Sequence, residues 1–145
     1  MAVHFVEVRA SGDAGLGVFA ASFIPKGTVW WSLPESGLVH ISRAHYLALT
    51  ASHQSPHTQH FLNALLHFSY YIQQLDVLIF IPDDGRYVNH SFTPNSAMTP
   101  DNMTSVTLRD VQAGEELFED YTHYDHCPWA RLYGEFGRSI GCWSE

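Results

Sequence analysis

Basic residues are scarce in this 145-residue chain: seven lysines and arginines stand against fifteen aspartates and glutamates, a formal net charge of −8. Binding to phosphate backbones needs clustered Lys and Arg, so the deficit argues against nucleic acid as a direct ligand and makes a basic partner the electrostatically natural one. Cysteine is equally sparse. Cys127 and Cys142 can form at most one bridge and cannot supply a four-thiolate metal site. No apolar run approaches the ~20 residues needed to cross a bilayer as a helix. The N-terminal Met-Ala-Val-His-Phe-Val-Glu lacks the basic stretch and continuous apolar core of a secretory signal. These absences predict a soluble, intracellular chain without membrane contact, cytoplasm and nucleus not being distinguished. Internal repeats, low-complexity tracts and linkers are also missing, and the length suits a single domain over residues 1–145 that buries its own core.

What is present reads mostly as short strands. Val3, Phe5, Val6 and Val8 suggest an edge strand, and Val18 to Phe23 a second. The turn Pro25-Lys-Gly27 leads into the β-branched and aromatic run Thr28 to Leu33, and Gly37 to Ile41 makes a fourth strand. The period then changes. Ser42 caps a short helix through about Thr50, and Ser55-Pro56 opens another in which Phe61, Leu62, Leu65, Leu66 and Phe68 recur at helical spacing. Val77 to Ile81, Val106 to Leu108 and Glu116 to Phe118 return to strand, with a turn at Asp83-Asp-Gly85. Strands, a helical insertion over about residues 42–74 and more strands predict an α+β fold, mainly β, built of small sheets.

Three segments carry chemistry: Gly15-Leu16-Gly17-Val-Phe-Ala20, then Arg86-Tyr-Val-Asn89-His90-Ser-Phe-Thr-Pro-Asn95, then Gly114-Glu-Glu-Leu-Phe-Glu-Asp-Tyr121. In order and spacing they resemble the signature motifs of SET-domain lysine methyltransferases, over roughly residues 1 to 125. The resemblance implies a SET fold of small curled sheets, a variable helical insert and a C-terminal motif threaded as a pseudoknot against the Asn-His motif. It implies S-adenosylmethionine as cofactor and a lysine-containing basic protein or peptide as substrate. Glycine bears no Cβ, which permits unusual φ values or close backbone approach to a ligand, and the resemblance places Gly15, Leu16 and Gly17 along the cofactor. It assigns Asn89 and His90 to the cofactor as well, through the asparagine side chain and the histidine backbone, with Arg86 supporting the loop or the cofactor carboxylate.

Tyr121 matches the family's catalytic tyrosine. A phenolic oxygen and main-chain carbonyls can orient a sulfonium-bound methyl by weak C–H···O contacts, and alignment of the amine supplies much of the barrier reduction. A lysine amine in such a site needs no strong base, because desolvation and the neighbouring sulfonium charge both favour its neutral form. In relatives, the residue two before this tyrosine, or one a few residues beyond the Asn-His motif, limits how many methyls fit. The corresponding positions are Glu119 and Met98. Flexible Met98 leaves room for a second or third methyl; an outward, solvated carboxylate is expected for Glu119. Trp30, Trp31, Tyr70, Tyr71 and Tyr87 are available as channel walls, most of them as core residues.

The chain departs from the family pattern in three places. Phe92 replaces the common cysteine of the Asn-His-Ser-Cys motif, and neither a cysteine-rich zinc segment nor a preceding cysteine cluster is present. The aromatic tail, residues 126–145, is therefore expected to cover the cofactor through Trp129, Tyr133 or Phe136. Ten histidines invite a metal reading through His53, His57 and His60, or His123, His126 and Cys127, but the first group crosses a helix boundary and the second is short of a tetrahedral set; no metal is expected. Five acidic residues, Glu115, Glu116, Glu119, Asp120 and Asp125, surround Tyr121 in sequence and would attract a basic segment. Two other functions fit the same motifs: a non-catalytic module that binds a basic peptide, and a methyltransferase for a small amine.

Overall fold

A computed structural model describes residues 5–12, 15–33, 39–51 and 55–132. Among them the chain order is β1 (Val6–Ala10), β2 (Leu16–Ala20), β3 (Val29–Ser32), β4 (Val39–Ser42), α1 (Arg43–Ala51), α2 (Pro56–His67), β5 (Ser69–Ile72), β6 (Val77–Phe80), β7 (Asn89–His90), β8 (Ser96–Met98), β9 (Thr104–Thr107) and β10 (Glu116–Glu119). The architecture is α+β and mainly β, in several small sheets with two helices inserted. Two compact units arise, one from Met1–Gly37 with Pro82–His123, the other from Leu38–Ile81 with Tyr124–Glu145.

The first unit contains a four-stranded sheet, β1-β2-β10-β7, and a three-stranded sheet, β3-β9-β8. Valine and tryptophan suit the pleated, half-buried surface of a strand, and Val18, Trp30, Trp31 and Leu117 are almost completely buried. Ile24 and Val111 clamp the flanking loops by exchanging backbone hydrogen bonds of 2.9 and 2.8 Å. β10 comes last in sequence yet lies inside its sheet. It runs antiparallel to β2, with Glu116 opposite Phe19, and parallel to β7, with Phe118 opposite Asn89 and Glu119 opposite His90. The C-terminal motif is thereby laid against the Asn-His motif.

β7 is only two residues long, so β10 needs further support. Buried Asn95 supplies it: its amide nitrogen donates to the Glu116 carbonyl and its amide oxygen accepts from the Phe118 N–H, both at 2.8 Å. One side chain thus satisfies a donor and an acceptor that a neighbouring strand would otherwise pair.

The second unit contains the sheet β4-β6-β5 and both helices. The expected caps are in place. Ser42 accepts from the His45 N–H at 3.1 Å, Ser55 accepts from the Thr58 N–H at 3.3 Å, and Pro56 opens α2 where its missing N–H costs nothing. Leu65 of α2 packs with Ile41, Tyr71, Leu78, Ala130 and Leu132 in this unit's core. The segment expected to be helical to about residue 74 turns to strand at Ser69. All four residues of β5 are buried, so no alternation marks it, and the helical spacing from Phe61 to Phe68 runs directly into it.

Trp129 belongs to this second unit. Its ring packs 5.6 Å from Tyr46 and 6.1 Å from Tyr71, and its Nε1–H donates to Asp76 at 2.9 Å. The Tyr71 hydroxyl donates to the same carboxylate at 2.6 Å. These bonds, Trp129's foremost, hold Asp76 below the ordinary carboxylate value, while burial and then Asp76 push Tyr71 up to about 12. Tyr133, Phe136 and Cys142 lie outside the described residues, as does His53. Among the described residues no helix is long and apolar enough to cross a membrane, and no group of His, Cys, Asp and Glu is placed to hold a metal ion.

Candidate active site

The glycine segment opens β2. Gly15 ends the loop from β1 with φ +78°, a left-handed conformation that side chains rarely adopt, and no atom lies within 4 Å of where its Cβ would stand. Conformation therefore selects glycine there. Gly17 is glycine for a different reason. A Cβ on it would lie 2.1 Å from Oε1 of Glu116, so the space expected to admit a ligand is filled by the protein's own carboxylate.

That carboxylate joins the three motifs. Its Oε2 accepts from the Ser11 hydroxyl at 2.8 Å and its Oε1 accepts from the Asn89 amide nitrogen at 2.8 Å. The same Asn89 nitrogen donates to the Leu16 carbonyl at 2.9 Å. Both neighbours are acceptors, which fixes the amide's orientation. Both N–H groups are consumed, and Asn89 presents its carbonyl oxygen as its remaining acceptor.

His90 follows on β7, with only 4% of its side chain exposed. Its Nδ1 accepts from the Tyr121 backbone N–H at 3.1 Å, so the neutral ring carries its proton on Nε2. Nε2 is buried and has no hydrogen-bond partner among the described residues. Burial depresses the His90 pKa, opposed by Asp120, whose Oδ1 lies 3.8 Å from Nδ1. Asp120 has the opposite balance: burial pushes it up, but the Thr122 hydroxyl and amide, with His123 and His90, bring it below the usual carboxylate value. Phe92, at the family's cysteine position, sets its ring edge-on to His90 at 4.4 Å.

Tyr121 begins a single 3-10 turn, Tyr121–His123, immediately after β10. Its hydroxyl donates to the Val88 carbonyl and its ring lies 5.3 Å from His90. Arg86 occupies another such turn, Asp84–Tyr87; its guanidinium lies over the Tyr87 ring at 4.9 Å and donates to the Tyr87 hydroxyl at 2.9 Å. Gly15, Leu16, Gly17, Asn89, His90 and Tyr121 are thus connected through β2, β7 and β10.

Glu119 does not point to solvent. It is 1% exposed, because strand alternation places it on the buried face with Leu117. The Ser96 hydroxyl donates to its Oε1 at 2.9 Å and accepts from the Trp30 indole N–H at 2.6 Å. Met98 is two residues along β8 from Ser96, hence on the same strand face, and its sulfur accepts from the Ser105 hydroxyl at 3.7 Å. Of the aromatics considered for a channel, Trp30, Trp31, Tyr70 and Tyr71 are core residues and Tyr87 is half-buried.

Residues 15–122 match the family model for the SET domain. The chain belongs to the SET-domain family. Among curated relatives, it is similar to histone-lysine N-methyltransferase SETMAR of Mus musculus, 27% identical over 133 residues, covering 83% of this chain and 41% of the relative. It is also similar to the Rattus norvegicus protein of the same name, 28% identical over 129 residues, covering 81% of this chain and 39% of the relative. This SET domain thus spans about two fifths of the length of those relatives. Sequence reading did not single out Ser11, Asn95, Ser96 or the Val88 carbonyl. Asn95 closes the quoted motif, but its role becomes visible only once β10 lies beside it; Ser11 carries no signal until Glu116 is seen to face it.

Proposed function

We propose that this SET domain transfers methyl groups from S-adenosylmethionine to a lysine side chain of a protein substrate. The observation that carries the reading is the parallel pairing of Asn89-His90 with Phe118-Glu119, which delivers Tyr121 beside His90 and anchors its hydroxyl on Val88. The residues present fit the cofactor's chemistry. Asn89 offers an oriented carbonyl oxygen to a ligand ammonium, Gly15 leaves open space beside the backbone, and His90 Nε2–H is a buried donor without a protein partner among the described residues. Gly15, Leu16, Asn89 and His90 would hold the cofactor, with Gly17 making room for the Glu116 carboxylate beside Asn89 and Arg86 supporting the loop.

When bound, S-adenosylmethionine supplies an electrophilic methyl group on a positively charged sulfur. The chain's contribution is orientation. The Tyr121 hydroxyl donates its hydrogen bond to the Val88 carbonyl, so its oxygen lone pairs would be left to orient polarised C–H groups by weak contacts. The lysine amine must be neutral to attack, and a dry site beside a sulfonium favours that form, so Tyr121 serves as an orienting group. The acidic balance of the chain suits a basic substrate segment.

The test is incubation of the folded protein with methyl-labelled cofactor and a cell lysate. Label in protein, at lysine, supports the reading. Label confined to small molecules would make this a small-amine methyltransferase, and no transfer together with peptide binding would make it a recognition module.

A further inference from the structure

Glu116 lies on β10, five residues before the tyrosine, and has no part in methyl transfer as described above. Its carboxylate is nevertheless anchored at both oxygens. One oxygen takes the Ser11 hydroxyl, the other the Asn89 amide, and the missing side chain of Gly17 leaves room for it. Ser11 is itself buried. Three strands and the β1–β2 loop therefore converge on one carboxylate.

An asparagine side chain is a poor recognition group unless its two ends are distinguished, because a half-turn exchanges donor for acceptor. Here the distinction is imposed twice, by the Leu16 carbonyl and by Glu116. We infer that Glu116 is a positioning residue for the cofactor: it locks the Asn89 amide nitrogen inward so that the carbonyl oxygen faces the cofactor's α-ammonium, a group with three donors and no acceptor. Gly17 follows as part of the same device, since any side chain there would displace the lock. This inference rests on the methyltransferase reading and adds a residue to it.

The experiment measures affinity by calorimetry for S-adenosylmethionine and for the analogue lacking the α-amino group, using wild type, Glu116→Ala, Glu116→Asp and Glu116→Gln. Gln keeps the reach, accepting from Asn89 with its oxygen and donating to Ser11 with its nitrogen; Asp keeps the charge but is one methylene too short to hold both partners. Ala and Asp are expected to weaken S-adenosylmethionine at least ~10-fold and the deamino analogue less than ~3-fold, with Gln within ~3-fold of wild type for both, since the partner contact is kept. If Ala does not fold, as judged by circular dichroism, the Asp and Gln pair decides. Equal losses for both ligands, a Gln variant as weak as Asp, or an Asp variant as strong as wild type would each overturn the positioning role. Absence of cofactor binding to folded wild type would instead overturn the methyltransferase reading on which it rests.

Discussion

The backbone N–H of Tyr121 donates to Nδ1 of His90 at 3.1 Å, tying the tyrosine to the ring of the Asn-His motif. A proton on Nδ1 would turn that acceptor into a donor facing an N–H, while drawing the ring toward Asp120, 3.8 Å away. Asp120 in turn lies 3.6 Å from His123, a second histidine at this corner.

The first prediction is a histidine that titrates low. Burial favours neutral His90 and outweighs the pull of Asp120, so its midpoint lies below the ordinary value of about 6.5. Because the folded value is depressed, the unfolded chain takes up the proton first as pH falls. The stabilisation is complete above about pH 6.5 and is lost as pH drops through the folded midpoint. Imidazole resonances followed by NMR check this; a midpoint at or above that of free histidine refutes it.

Tyr121→Phe keeps the ring against His90 and removes only the hydroxyl that donates to Val88. The fold should persist while turnover drops at least ~10-fold, or about 1.4 kcal/mol in the barrier. Unchanged turnover on the true substrate would remove the orienting role.

The two glycines should respond differently to alanine. Gly15→Ala forces a side chain into φ +78° and costs about 1–2 kcal/mol of stability whatever else is mutated. Gly17→Ala collides with Glu116, so its cost should shrink in a Glu116→Ala background. Chemical denaturation of the four variants and the wild type gives the comparison, and an undiminished cost in the double variant would mean the space at Gly17 serves something else.

Asn95→Ala leaves the Glu116 carbonyl and the Phe118 N–H without their partner in a buried place. A loss of about 2–4 kcal/mol is expected from two such groups, read from the urea midpoint at constant slope. A loss under about 0.5 kcal/mol, the size of an ordinary surface change, would show that the neighbouring strands hold β10 unaided.

On the proposed methyltransferase reading, Met98 and Glu119 are the positions that would set product multiplicity. Met98 is flexible and lacks a hydroxyl that could hold a restricting water, so mass spectrometry at long reaction times should find di- or trimethyllysine, with Met98→Tyr stopping earlier. Monomethyl product alone from the wild type would refute the open pocket. Glu119 is a buried neighbour here, and Ser96→Ala, which removes its 2.9 Å donor and the acceptor of Trp30, should destabilise the fold by about 1–3 kcal/mol in the same denaturation assay.

Local signals in the sequence were sufficient for the helices, because Ser42 and Ser55-Pro56 act on backbone groups within three residues of themselves. They were sufficient too for β3 and β6, whose β-branched and aromatic runs need no distant partner to be read. β7 and β8 escaped notice because strands of two and three residues, set among Ser, Thr, Pro and Asn, have no period of their own and exist through pairing with β10 and β9. The candidate site was legible as motifs, while its wiring was not. Glu116 and Glu119 look alike in Gly114-Glu-Glu-Leu-Phe-Glu, yet one fills the space at Gly17 and the other is buried against Ser96. Only the positions of residues about 20 to 105 places away distinguish them.

The placement of β10 between β2 and β7 also sets an order of events during synthesis. Residues 16–20 and 89–90 leave the ribosome before residues 116–119, so the strand that fills the slot between β2 and β7 is the last part of this sheet to be supplied. While that slot stands empty, β2 would have one unpaired edge, a template for pairing with another chain, and Asn89 would lack the carboxylate that fixes its amide. Closing it joins segments about a hundred residues apart, the kind of distant contact that slows folding. On the proposed reading, cofactor affinity should therefore depend on a completed sheet, because Glu116 reaches Ser11 and Asn89 only from β10.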